Sequence, residues 1–353
     1  MKPTPSTPIR LLTHGTVAAL ALFIATPRAG AWDYDVHRVI SQLALQTLPP
    51  DFPAFARTPD AEERVAFLSG EPDRWRNSPD LPLRHENSPD HFLDIEDLEP
   101  YALTPANLSP FRYEFVAVMA QARAARPADF QTPDPKRDTD RTRVLPGFLP
   151  WTLAESCARL KSAFSYRRAL REGGTPEEIA NAEANVICYM GVLSHFAGDA
   201  AQPLHTTRHY NGWVGPNPNG FTTNRTFHAW IDAGYLQKTG LDPAPLRTRL
   251  RQARIVPTTP TAAEPFRIFH GALAFVYDQH AQVEPLYQLE KSGFLTGDGE
   301  AGRRGLPLIQ DQLVKAAQFL GDLWLTAWRE APPDVYLKGQ LEKRRIATSP
   351  VTR

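Results

Sequence analysis

Residues 195–205 read HFAGDAAQPLH and bring His195, Asp199 and His205 into one short run around Pro203. A second pair, His228 and Asp232 in FHAWID, repeats the His-to-Asp offset of four. Side chains four apart share one face of an α-helix, so each pair aims an imidazole and a carboxylate at one point. Neutral imidazole nitrogen and ionised carboxylate oxygen are suitable donors for Zn²⁺. One such pair is ordinarily a solvated helix face. Two pairs with a third histidine close by point to metal.

The N-terminus carries a separate signal. Lys2 and Arg10 precede an apolar run from Val17 to Ala25 and the Ala29-Gly30-Ala31 triplet. That order of basic, apolar and A-x-A segments is that of a secretory leader over residues 1–31, and the apolar run is too short to span a bilayer. Cleavage after Ala31 makes Trp32 the first residue and frees an α-amino group of pKa about 8. Its amine and carbonyl oxygen can chelate a cation, with His37 five residues on. The protein is therefore expected to be secreted or periplasmic.

Taken in order, these residues resemble the phospholipase C/P1 nuclease superfamily. The resemblance is carried by W-x4-H at Trp32 and His37, D-x-x-R at Asp73 and Arg76, and HFLD from His91 to Asp94. It continues through H-x3-D-x5-H from His195 to His205 and H-x3-D at His228 and Asp232. The anchors run from residue 32 to residue 232, and the C-terminal third matches only as amphipathic helices. The resemblance implies a helical secreted enzyme with three Zn²⁺ ions in one cleft. Zinc one takes Asp73, His91, His195 and the bridging Asp199. Zinc three takes the Trp32 amine and carbonyl, His37 and the other oxygen of Asp199. Zinc two takes His205, His228 and Asp232. All these donors are nitrogen or oxygen, and close cations of this kind activate water and stabilise both oxygens of an in-line displacement.

The resemblance further implies that Arg76 steadies the transition-state phosphate, while Asp73 holds the attacking group in line and stays a ligand. Phe92 and Asp94 match a base pocket: a ring for stacking and a carboxylate for the base edge. Residue-level alternatives are that Phe92 is a core aromatic and that Asp94 orients the His91 imidazole. The Trp-to-His offset of five, the interval from His205 to His228 and the final Asp232 favour the nuclease branch. The expected activity is hydrolysis of single-stranded DNA or RNA to 5′-phosphate products. A phospholipase C acting on phospholipid head groups is the alternative, and a non-catalytic secreted zinc-binding protein the second.

Two departures from the family pattern stand out. Asp33-Tyr34-Asp35-Val36 replaces the usual glycine-rich turn, and the interval from His91 to His195 is long. Residues 98–150 read as a proline-rich insertion containing Lys136-Arg137-Asp138 and one helix, Phe111 to Ala125. A surface excursion is the favoured reading over a substrate-gating lid.

The surrounding elements read as helices: His37–Thr47, Leu153–Glu172, Pro176–Asp199, Asn224–Leu236, Pro265–Glu290 and Leu308–Glu330. In the last, Leu313, Ala316, Ala317, Phe319, Leu320, Leu323 and Trp324 recur at helical intervals. No strand pair is evident, so an all-α single-domain bundle with long loops over residues 32–353 is expected. Removing residues 1–31 removes Lys2, Arg10 and Arg28 and no acid, which leaves 36 basic against 39 acidic residues. Such a charge excludes a broad basic surface for duplex DNA. Cys157 and Cys188 are the only cysteines and form either a disulfide or two free thiols. Of the other mature histidines, His209 reads as a loop residue, His85 competes with His91 as ligand, and His270 and His280 sit in a later helix.

Overall fold

Buried apolar residues at helical spacing organise the chain, and the fold is all-α. The computed structural model describes residues 32–257 and 266–348. The expected leader lies outside the described residues.

In chain order the helices are α1 (Tyr34–Thr47), α2 (Pro59–Leu68), α3 (Glu71–Arg76), α4 (Leu81–Asn87), α5 (Arg112–Ala125), α6 (Leu149–Gly173) and α7 (Pro176–Ala201). The short α8 (Phe227–Ala229) runs through a π-turn at Trp230–Gly234 into α9 (Tyr235–Thr239). Then follow a single turn α10 (Ala244–Arg247), α11 (Arg267–His280), α12 (Val283–Lys291), a second single turn α13 (Gly299–Gly302), α14 (Leu306–Arg329) and α15 (Val335–Thr348). Two isolated bridges, Leu93 with Gly147 and Tyr210 with Gly212, are the only β pairings among the described residues. No described helix is long and apolar enough to cross a membrane.

Helix α7 is the axis of the molecule. Thr175 caps it with a reciprocal Thr175–Glu178 box, and Pro176 occupies the first turn, where its missing N–H is not needed. Helices α1, α2, α6, α11 and α14 pack around it. Its last turns, from Gly191 to Ala201, are small or apolar apart from Ser194, His195 and Asp199, and most are fully buried. Close packing explains the small residues: a Cβ on Gly191 would lie 2.3 Å from Leu68 Cβ, and one on Gly198 would lie 2.7 Å from His37 Nδ1. On α14, Leu313, Ala316, Ala317, Leu320, Leu323 and Trp324 are buried as their spacing predicts, with Phe319 partly buried against them.

One expectation changes, one stretch was not read, and one open alternative is decided. The segment read as one helix over Pro265–Glu290 breaks at Ala281–Gln282, because Pro285 removes a backbone donor and clashes with the carbonyl four residues back. Residues 59–87 form three helices whose apolar spacing is too weak to read from sequence. Cys157 and Cys188 are free thiols, the first buried and the second exposed. Burial pushes the Cys157 thiol up to about 12.

The Gly191 contact is testable. Gly191→Ala forces Leu68 and the α2 backbone outward and should lower stability by about 1–3 kcal/mol. A urea midpoint equal to that of the wild type would refute this account of α2–α7 packing.

Candidate metal centre and its cleft

His195 and Asp199 lie one turn apart on the buried face of α7. Pro203 ends the helix. Gln202 caps it, its N–H donating to Asp199 O at 3.0 Å. The chain then folds back, so that His205 N donates to Gln202 O at 2.9 Å and His205 points at the same region. The HFLD segment runs alongside: Leu93 N donates to His205 O (2.9 Å) and Ile95 N to Thr206 O (3.2 Å). Helix α1 supplies His37, α3 supplies Asp73 and Arg76, and α8 with its π-turn supplies His228 and Asp232. Every one of the expected ligand residues is thereby gathered into one region.

Three groups of these side chains are close enough to hold a metal ion: first His91, His195 and Asp199; second His205, His228 and Asp232; and third His37, Asp73 and His195. In the first group, His91 Nδ1 lies 2.9 Å from His195 Nε2 and 2.9 Å from Asp199 Oδ2, and His195 Nε2 lies 3.2 Å from Asp199 Oδ2. Asp73 Oδ1 lies 3.9 Å from His195 Nε2 and 4.0 Å from His91 Nδ1. A tetrahedral site with bonds near 2.0–2.1 Å has edges of about 3.3 Å, and these distances bracket that value. The other oxygen of Asp199 lies 3.4 Å from His37 Nε2. Both oxygens of one buried carboxylate are therefore within reach of imidazoles.

Unpartnered buried atoms test the fit. His37 Nε2, Asp73 Oδ1, Asp199 Oδ1, His205 Nε2, His228 Nε2 and Asp232 Oδ2 are buried with no hydrogen-bond partner among the described residues. An unsatisfied buried polar group costs about 1–3 kcal/mol, and so many in one place suit a bound cation. Backbone carbonyls fix the ring tautomers. His195 Nδ1–H donates to Ser69 O at 2.7 Å and His205 Nδ1–H to His91 O at 2.6 Å, which leaves each Nε2 lone pair turned inward. The residues present fit a metal site.

The second group forms through a local geometry the sequence reading did not foresee. His228 lies in α8 and Asp232 inside the π-turn that follows it, yet their Nε2 and Oδ2 atoms still meet at 3.0 Å. Such turns recur at functional sites. Gln202 was missed altogether, since an amide is no zinc donor. Fully buried, it donates from Nε2 to Asp232 Oδ1 at 2.6 Å and accepts from Leu204 N at 3.2 Å. It thus leaves Oδ2 of Asp232 for His228. Its place as the residue before Pro203 was the available signal.

Trp32 is fully buried, and its indole donates to Gly198 O at 3.0 Å, beside Asp199. The next residue donates from Asp33 N to Asp232 O at 3.2 Å. The N-terminal residue of the expected mature chain is pinned between both halves of the centre.

Burial and charge set the ionisation. Burial, with the neighbouring His195, keeps His37 below its ordinary value. Burial and the Arg76 charge bring His91 down to about 3. Burial lowers His205, and burial with His205 alongside lowers His228 strongly. For His195 burial works downward, but Asp199 outweighs it and raises the imidazole. Asp199 resists the upward push of burial because His195 and His205 face it, and it stays well below the carboxylate range. Burial drives Asp232 well above that range.

An open cleft of about 580 Å³ reaches the centre through Arg76, His205 and His228. Arg76 Nε lies 3.2 Å from Asp73 Oδ1. Phe92 is half-buried in this cleft and is not a core aromatic. Asp94 lines it too. Burial and the nearby Asp97 and Glu96 raise its carboxyl well above the usual range, and Oδ1 has no partner. No bond joins Asp94 to His91, which disposes of the orienting role. Tyr210 closes the far side, its ring 5.8 Å from His228.

The other histidines lie outside the three groups. His209 stacks on Trp213 at 3.9 Å in a turn. The exposed His85 pairs through Nδ1 with Asp140 O at 2.6 Å. His280 Nδ1 bonds Thr206 O at 2.9 Å, and His270 lies against Phe269 on α11. Residues 137–145, expected on the surface, form a wall of the cleft. Gly147 (φ 105°) lets this wall reach HFLD, where a Cβ would lie 2.0 Å from Phe92 O. No family model and no curated protein matches the chain.

Two outcomes follow from this geometry. Asp199→Asn keeps the volume but removes the shared negative charge, so metal content measured by elemental analysis should fall by at least one ion per chain and thermal stability should drop. Asp232→Asn should cost only the ion of the second group. Unchanged metal content in Asp199→Asn would exclude a bridging role.

Acid should destabilise the chelator-treated chain. His37, His91, His205 and His228 have folded values below 6.5, so the unfolded chain binds protons that the folded chain refuses. Their contribution is present above pH 6.5 and lost as pH falls, for His91 down to about 3. His195, Asp90, Asp94 and Asp232, all raised, work in the opposite sense, so the histidine contribution is read as a difference between the wild type and His91→Asn. Between pH 7.5 and 5.5 the urea midpoint of the wild type should fall relative to that of His91→Asn, and an equal pH dependence of the two would reverse the assignment.

Proposed function

We propose that this chain is a secreted Zn²⁺-dependent phosphodiesterase of the phospholipase C/P1 nuclease type that hydrolyses single-stranded nucleic acid. The observation that carries the reading is Asp199, a fully buried carboxylate with His37 at one oxygen and His91 and His195 at the other. Asp73, His91, His195 and Asp199 would hold the first ion. The second would be held by His205, His228 and Asp232, and the third by His37, Asp199 and the Trp32 terminus. When bound, the ions supply a water of lowered pKa and positive charge against phosphate oxygens.

The chain's own groups do the rest. Asp73 Oδ1, buried and turned toward the centre, holds the attacking water in line with phosphorus. Arg76 reaches both Asp73 and the cleft, so its guanidinium donates to a non-bridging phosphate oxygen and offsets the growing charge. His205 and His228 face the cleft, where an ion they held would stabilise the departing 3′ oxygen and leave the phosphate on the 5′ end. Phe92 offers a ring face for an unpaired base. Asp94, whose Oδ1 is buried without a partner, offers its carboxyl group to the base edge. A cleft lined by four arginines and several carboxylates favours a polyanion over a lipid.

The deciding experiment uses protein beginning at Trp32, assayed on denatured DNA, RNA and phosphatidylcholine with and without chelator. Cleavage of the first two to 5′-phosphate ends, abolished by chelator and restored by Zn²⁺, is expected. Cleavage of phosphatidylcholine alone would move the chain to the phospholipase branch, and no hydrolysis in any arm would leave a metal-binding protein.

A further inference from the structure

The cleft has a wall that the chemistry above does not use. Residues 133–147 hold four basic residues, Lys136, Arg137, Arg141 and Arg143, against three acids, Asp134, Asp138 and Asp140. The acids are engaged within the protein. Asp140 Oδ2 takes Arg84 Nε at 3.0 Å, Asp138 Oδ1 accepts from Arg143 N at 3.1 Å, and Asp134 Oδ1 accepts from Lys136 N at 3.0 Å. Arg143 makes no ion pair among the described residues, and its Nε donates only to Arg137 O at 2.7 Å. Arg137 is 81% exposed and lies 3.8 Å from Asp134. Both line the cleft that contains His205, His228 and Tyr210.

The wall is built to stay in place. Asp94 N donates to Pro146 O at 2.6 Å, and Leu93 pairs with Gly147. His85 Nδ1 bonds Asp140 O at the opposite end. Arg141 holds a left-handed φ of 61°, a conformation that costs a residue with a Cβ about 1–2 kcal/mol and persists where surroundings dictate it. Two of the cleft's own acids are taken up by other arginines: Asp97 is paired with Arg208 at 2.8 Å and Asp140 with Arg84 at 3.0 Å. Arginines lining a cleft attract an oppositely charged chain.

We infer that Arg137 and Arg143 bind backbone phosphates neighbouring the reacting one, so that the preferred substrate is a single strand of several nucleotides, not an isolated diester. This inference rests on the nucleic-acid reading of the centre. Each arginine that releases a counterion from a single strand contributes about 0.7 to the slope of log affinity against log salt. A surface arginine–phosphate pair of up to about 1 kcal/mol corresponds to up to about fivefold in affinity.

The test measures binding, not turnover. Chelator-treated full mature chain is titrated with a fluorescein-labelled single-stranded decanucleotide by anisotropy across a salt series. Arg137→Ala and Arg143→Ala should each weaken binding by up to about fivefold and lower the slope by about 0.7. The lysine variants should keep most of the slope. Arg126→Ala, an exposed arginine outside the cleft, should change neither. Circular dichroism verifies that the exposed substitutions leave the fold intact. Wild-type and alanine variants with the same affinity and slope would overturn the inference, as would a wild type that does not bind the strand. Arginine-dependent binding without Zn²⁺-dependent cleavage would overturn the nuclease reading and leave the arginine wall standing.

Discussion

A single buried charge governs this structure. Asp199 is fully inaccessible, and an ionised carboxylate in such a place costs several kcal/mol unless opposite charge and hydrogen bonds surround it. The protein brings imidazoles to both of its oxygens, within 3.4 Å on one side and 2.9 and 3.2 Å on the other. Imidazole is a weak partner for this purpose, because burial holds most of these rings neutral. The residues could hold cations between carboxylate and rings, which would resolve the conflict by neutralising Asp199 and using the lone pairs that the neutral rings present.

Much of the surrounding architecture follows from that demand. Residue 198 is glycine because the His37 ring occupies the space of its Cβ. The carbonyl of that glycine takes the Trp32 indole, so one position of α7 seats both Trp32 and His37. Ser69, at the end of α2, turns the His195 ring, and Asp73 and Arg76 follow on the next helix. Gln202 performs the same service for Asp232 that the carbonyls perform for the rings. These supports are short-range, rigid and buried, which is how a site keeps its geometry within a fraction of an ångström.

The sequence was informative where periodicity and chemistry coincide. His195 and Asp199 meet because α7 is regular through that turn, and the α14 core face reads directly from its spacing. His228 and Asp232 meet for another reason: a π-turn intervenes, and only the side-chain reach rescues an offset read as α-helical. Asp73 and Arg76 sit on a six-residue helix whose existence depends on packing against α7 and α4, and six residues are too few to show an apolar stripe. The wall formed by 137–145 was invisible because its arginines carry no periodic signal. What fixes it to the cleft is a glycine with positive φ at 147 and main-chain bonds to HFLD, contacts made across some fifty residues of chain.

Depth divides the centre into two parts. His37, His91, His195 and Asp199 are at most 1% exposed and do not line the cleft, whereas His205, His228 and Arg76 do. A ligand entering the cleft therefore meets the second group and the Arg76 guanidinium before anything else. The deep residues set charge and rigidity, and the shallow ones meet whatever is bound. Asp73 joins the two parts, with one oxygen near His91 and His195 and also 3.2 Å from Arg76. His205 is a second link, lining the cleft with its Nδ1 3.8 Å from Asp199 Oδ2, so a charge that moves at the mouth of the cleft is felt at the buried carboxylate through these two residues. Specificity can thus vary along the cleft wall, through Phe92, Asp94, Tyr210 and the arginines beyond them, without disturbing the electrostatic balance on which folding around Asp199 depends.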